Sequence, residues 1–80
     1  MENTHEIDIH GMTVAEAEAE LDHFLEYEAD SLGELVVVHG YRQGTRLLEF
    51  VRKEFRHPKI KQKMLSMNPG ITIFILKIQE

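Results

Sequence analysis

The sequence predicts an α/β sandwich (α+β): a mixed four-stranded sheet and two helices in the order β-α-β-α-β-β. Three observations carry this. A short alternating segment, His5–His10, leads into a helix-start signal and a helical stripe. A continuous apolar run, Leu35–Val38, bounded by Gly33 and Gly40, leads into a second helical pattern. Two further strand patterns then flank the turn Asn68-Pro69-Gly70. Eighty residues, 42% of them apolar, suffice for one domain over residues 1–80 with a core about 7–78.

In His5–His10, Ile7 and Ile9 share one face and Asp8 and His10 the other, the period of a strand. Gly11-Met12 interrupts it. Thr13 precedes Glu16 by three residues, a capping box in which each side chain takes the other's amide. Val14, Ala17, Leu21, Phe24 and Leu25 form one helical stripe, and glutamates occupy the other face. The helix is expected to end near Asp30–Gly33. Leu35–Val38 is rich in β-branched residues and reads as a strand buried on both faces. His39–Gly44 is a loop. From Thr45 a helix is expected with Leu47, Leu48, Val51 and Phe55 inward and Arg46, Arg52, Lys53 and Arg56 outward. It stops at His57, because Pro58 disfavours helix in the residue before it. Lys59–Lys63 alternates, with Lys59, Lys61 and Lys63 on one face and Ile60 on the other, and Met64-Leu65 prolong it. Lysines suit a sheet edge. Ile71–Ile78 is the strongest strand pattern in the chain.

The composition excludes several classes. There is no cysteine, so disulfides, thiolate catalysis and cysteine-ligated zinc are out. No apolar run approaches the roughly 20 residues of a membrane span. The N-terminus has no secretory pattern, so the cytoplasm is the expected address. The net charge of −5 hides a partition. Residues 1–40 hold eleven acids and no Lys or Arg, while residues 41–80 hold nine bases and three acids. That is −11 against +6, which suggests an acidic solvating face and a basic working face.

Topology then places a candidate site. Two strands joined by a helix pair in parallel, so their C-terminal ends share one sheet edge. In open α/β sheets, ligands bind outside those ends. One strand ends in Asp8-Ile9-His10-Gly11 and the other in Val38-His39-Gly40, so two His-Gly dipeptides meet although far apart in sequence. Asp8 and His10 project from the same strand face, where a carboxylate can fix the imidazole tautomer. Gly40 and Gly44 permit close approach of loop amides to an anion, and the following helix start favours phosphate. Arg42 and Arg46 can grip phosphate, and Tyr41 can stack on a base or cover the loop. Each signal also has a bland reading: Asp8 as a turn cap, the histidines as hydrogen-bonded structural residues, the glycines as turn formers, the lysines as a solvated edge. A metal site built from Asp8, His10 and His39 stays open as an alternative, although no close ligand spacing supports it. Phosphodiester recognition, with histidine as acid or base, fits the convergence.

Two segments resemble a known family. Ile7–Leu25, IDIHGMTVAEAEAELDHFL, is similar to the opening of an Smr (small MutS-related) domain: a strand ending in D-x-H-G, a threonine cap and an amphipathic helix. Leu35–Val51, LVVVHGYRQGTRLLEFV, resembles its second signature, H-G-x-G-x-G before a helix. GITIFILK resembles its last strand. Two departures stand out: Arg42 replaces the family's middle glycine, and the stretch before the last strand lacks the usual glycine-rich tract. The resemblance is to a stand-alone form, with no ATPase or pentatricopeptide pattern. It implies a fold like the C-terminal domain of translation initiation factor three. It implies nucleic-acid binding, DNA or RNA, and in several members an endonuclease that nicks DNA or cleaves RNA. Asp8 and His10 match the pair tied to cleavage. His39, Gly40 and Gly44 match the glycine loop tied to binding and activity.

The expected catalytic residues are therefore Asp8, His10 and His39. The expected nucleic-acid-binding residues are Gly40, Tyr41, Arg42, Gly44, Thr45, Arg46, Arg52 and Lys53. Mg²⁺ and Mn²⁺ are the candidate cofactors. Alternatives are a non-catalytic interaction module and a pocket for a small phosphorylated ligand. A homodimer, or a protein partner docking on the acidic first helix, completes the expected partners; no membrane is expected.

Overall fold

A computed structural model describes residues 3–42 and 44–77. The elements are β1 (Thr4–Asp8), α1 (Val14–Tyr27), β2 (Glu34–Val38), α2 (Arg46–Glu49) running on into a π-helical stretch (Phe50–Glu54), β3 (Ile60–Leu65) and β4 (Ile71–Leu76). They form the expected α+β fold of two helical segments on a mixed four-stranded sheet. The sheet order is β1-β2-β4-β3, with β1 parallel to β2 and the other pairs antiparallel. The last residue of the expected final strand, Ile78, lies outside the described residues.

Both helical segments cover one face of the sheet. Leu35 and Val37 of β2 pair with Phe74 and Thr72 of β4, and all four are buried, as is Leu76. They meet Ala17, Leu21, Phe24 and Leu25 of α1 and Phe50, Val51 and Phe55 of the second helical segment. Val36 and Val38 of β2 point to the opposite face and are only half-buried. The expectation that β2 is buried on both faces is therefore corrected: two helices suffice for one face only.

The capping box forms as expected. Glu16 N–H donates to Thr13 Oγ1 at 3.1 Å, and Thr13 N–H to Glu16 Oε1 at 2.9 Å. α1 ends at Tyr27, short of the expected Asp30–Gly33. Its last turn carries no basic residue. The free carbonyls of Leu25 and Glu26 instead accept from Lys59 Nζ, a long-range cap.

The second helical segment is not one uninterrupted α-helix. After Glu49 the bonding shifts to i→i+5, with Phe55 N–H donating to Phe50 O at 2.8 Å. The Phe50 and Phe55 rings meet at 5.8 Å between centroids, and Phe50 joins the core although it is not part of the expected inward stripe. Lys63 Nζ completes the stretch by donating to Val51 O (2.7 Å) and Phe55 O (2.6 Å), 5.5 Å from the centre of the Phe74 ring. Burial lowers the Lys63 pKa, and nearby Arg56 adds to this. The lysines of β3 are thus not one solvated face. A bulge between Ile60 and Gln62 resets the alternation and turns Lys63 inward with Ile60.

Candidate functional site

The parallel β1–β2 pair brings the two His-Gly dipeptides together as the topology requires. Ile9 N–H donates to Val38 O at 2.9 Å, continuing the ladder past β1. The sheet edge beyond Asp8 and Val38 opens into a cleft of ≈ 830 Å³. Its floor is apolar, built from Met12, Val14 and Leu47, and His10, Tyr41, Arg42 and Arg46 stand around it.

Asp8 and His10 form a tight pair at the mouth. Asp8 Oδ1 accepts from His10 Nδ1 at 2.6 Å and from the His10 amide at 3.0 Å. Because the carboxylate can only accept, it fixes the proton on Nδ1 and leaves Nε2 as the working nitrogen. The hydrogen bond from the His10 side chain, followed by that from its amide, holds the Asp8 carboxyl below its ordinary pKa of 3.8, so it stays ionised. Both side chains are exposed, as a pair acting on an external substrate must be.

His39 is in a different situation. It is buried, and both ring nitrogens are engaged: Nδ1 with Gly40 O at 2.9 Å and Nε2 with Thr72 Oγ1 at 2.8 Å. The proton positions follow from donor counting. Arg52 Nε–H donates to Thr72 Oγ1 at 2.9 Å, so the threonine hydroxyl is free to donate to His39 Nε2. His39 then carries its proton on Nδ1 and gives it to the Gly40 carbonyl. Burial pushes the His39 pKa below the usual 6.5; the Gly40 hydrogen bond opposes this and the Arg52 charge reinforces it. The ring is neutral and ties the glycine loop to β4.

That relay also accounts for Arg52. Read as outward-facing, it turns inward, with Nη2 on Pro69 O (3.4 Å) and Ile71 O (3.3 Å). The π-helical turn re-aims it. Lys53, one residue on, is exposed.

In the loop, Gly40 and Gly44 have φ of +77° and +112°, where a side chain would be strained. Arg42, in the family's middle-glycine position, needs no positive φ, and it is exposed. The Gly40 amide donates to Gly70 O at 3.0 Å and so is not free for a phosphate. Thr45 does not cap α2; its hydroxyl bonds Glu49 Oε2 at 3.3 Å. The expected approach of the Gly40 amide to an anion is corrected, since that amide is engaged; Arg42 and Arg46 bring positive charge to the cleft.

Several cleft residues escaped sequence reading. Asn68 and Gly70 reach it from the turn before β4. A Cβ on Gly70 would sit 3.2 Å from Gly40 Cα and 3.4 Å from the Tyr41 ring, so the two loops touch only because this residue is a glycine. Met12 and Leu47 supply the floor, and Thr72 the relay. No sequence spacing signals Asn68, Gly70 or Thr72, since antiparallel β2–β4 pairing alone brings them there. Among the described residues, no three His, Asp or Glu side chains converge as a metal-ligand set.

The Smr domain family model matches residues 7–70, spanning both His-Gly strand ends, the glycine loop and the turn before β4. The chain belongs to the Smr domain family. The crystal structure of the Smr domain of Thermus thermophilus MutS2 is similar to this Smr domain, with a TM-score of 0.78 and 30% identity. The alignment covers 90% of this chain and 96% of that one. A search of curated proteins returned no match. Smr domains form a family of nucleic-acid-binding and nicking modules. Among the described residues of this one, no helix is long and apolar enough to cross a membrane.

Proposed function

We propose that this Smr domain binds nucleic acid across the cleft beyond β1 and β2 and cleaves a phosphodiester there. The carrying observation is the Asp8–His10 pair at the mouth of a cleft flanked by Arg42 and Arg46. Arg42 and Arg46 hold phosphate oxygens, and Tyr41, 42% exposed, offers a ring for base stacking. The apolar floor of Met12, Val14 and Leu47 takes the flat face of a base rather than more phosphate. His10 Nε2 accepts a proton from the attacking oxygen or, protonated, gives one to the leaving oxygen, and Asp8 stabilises the imidazolium. Gly40 and Gly44 shape the loop, Thr45 holds its end through Glu49, and Lys53 adds charge at the rim. His39 and Arg52 are positioning residues: they hold the loop against β4. DNA and RNA share the phosphodiester that this chemistry needs.

Binding and cleavage are tested separately. Affinity for labelled DNA and RNA is measured over a salt series. Each of Arg42→Ala and Arg46→Ala should weaken binding and lower the salt slope by about one phosphate contact. Supercoiled plasmid and structured RNA are then incubated with wild type and His10→Ala, with and without Mg²⁺ or Mn²⁺. Removing the acid–base group should slow cutting about 10²–10⁴-fold while binding is kept. Equal cutting by both proteins removes the catalytic assignment. Salt-sensitive binding without cutting by either leaves a non-catalytic interaction module. Weak binding unaffected by salt removes both readings.

A further inference from the structure

The helix-free face of the sheet carries an apolar stripe that no described residue covers. Strand alternation and pairing register place Val36 and Val38 of β2, Ile71, Ile73 and Ile75 of β4, and Met64 of β3 on it. Five of the six are β-branched residues screened only by their strand neighbours, and Met64 is 44% exposed. Two rims of opposite charge border the stripe. On the β1 side stand Glu6 and Asp8, with Glu34 at the start of β2. On the β3 side stand Lys61, exposed in the bulge, and Lys77, one residue beyond Leu76.

We infer that two copies of this chain stack these faces on each other about a two-fold axis parallel to the strands, between β2 and β4. Such an axis lays β2 on the partner's β4 and β1 on the partner's β3, and it preserves height along the strands. Glu34 lies level with Ile75, two residues before Lys77, so it comes opposite the partner's Lys77 corner. Glu6 lies level with Met64 and so comes opposite the partner's Met64 on β3, with Lys61 three residues back along that strand. The other in-plane two-fold, across the strands, would lay β1 antiparallel on β1 and set the acidic β1 rim against its own copy, with the β3 lysine rim likewise on itself. Charge therefore selects the first arrangement, with sheets aligned as in face-to-face β-sandwiches. The axis leaves both clefts at the same end of the dimer.

The area sets the strength. Four strands and five residues give a flat footprint of roughly 19 by 17 Å. That is less than half of the about 800 Å² per partner in a standard interface, which places the contact among small, transient interfaces.

Sedimentation equilibrium of nucleic-acid-free protein, from micromolar to about half-millimolar, tests this. Wild type should pass from monomer to dimer, and Ile73→Lys should stay monomeric with an unchanged far-UV circular dichroism spectrum. Glu34→Lys and Lys77→Glu should each weaken association about tenfold, and the double variant should restore it to within about threefold. A wild type that stays monomeric throughout overturns the dimer. So does an Ile73→Lys that dimerises as wild type does. Should Ile73→Lys fail to fold, the charge pair decides: single variants without effect, or a double variant that does not recover, overturn it.

Discussion

Replacing Thr72 by valine removes one buried hydroxyl while nearly conserving shape. Thr72 is fully buried on the helix side of β4, and its hydroxyl both accepts from Arg52 Nε–H and donates to His39 Nε2. Valine leaves His39 Nε2 without its donor in a site closed to water. Arg52 is half-buried and keeps its bonds to Pro69 and Ile71, so it loses less. An unpaired buried polar group costs about 1–3 kcal/mol, so about 2 kcal/mol is expected here. For a domain of this size, 1 kcal/mol moves Tm by about 4–8 °C, giving a fall of about 8–16 °C. Thr72→Ser keeps the hydroxyl and loses only a methyl, so its Tm should fall by about half as much. Thermal unfolding by circular dichroism reads both. The relay is refuted if Thr72→Val melts within about 2 °C of wild type, or if serine is as damaging as valine.

Protonation of His39 gives a signed pH effect. Its folded pKa lies below the unfolded value near 6.5, so the unfolded chain binds more protons just below that pH. Stability from neutral His39 is therefore present above about 6.5 and is lost as pH falls through the folded pKa. Urea unfolding of wild type and His39→Gln should converge on acidification; parallel curves would disprove the assignment. Gly40→Ala has room for its Cβ, 3.6 Å from His10 Cβ, so it pays only the left-handed strain, about 1–2 kcal/mol by Tm. Lys63→Met keeps the apolar stem but strips the cap from Val51 O and Phe55 O, an expected loss of about 1–2 kcal/mol in urea unfolding.

Much of the architecture is legible in local pattern. The Thr13–Glu16 box, the stripe from Val14 to Leu25 and the β-branched run before His39 are short-range signals, and each forms the expected element, although the run is buried on one face only. Parallel pairing of the first two strands follows from chain connectivity, and it alone brings His10 and His39 to one sheet edge. The Asp8–His10 pair is two residues apart, so its geometry is also local. Where pattern and structure part, long-range contacts are responsible. Phe50, outside the expected inward stripe, joins the core. Lys59 and Lys63 become caps because helix ends left without local partners take the nearest cations. The basic surface is correspondingly smaller than the charge partition suggests.

The sequence by itself determined the order of elements, the strand ends that carry the histidines, and the residues able to grip a phosphate, since period, capping and connectivity are properties of neighbouring residues. Only the tertiary structure decided which of them remain free to act. Inserting β4 beside β2 brings Thr72 to His39 and Gly70 to Gly40. This buries one histidine in a donor–acceptor relay and leaves the other, with its Asp8, facing the cleft. The physical reason is that a buried polar atom must be paired, and its partner here comes from a strand some thirty residues away.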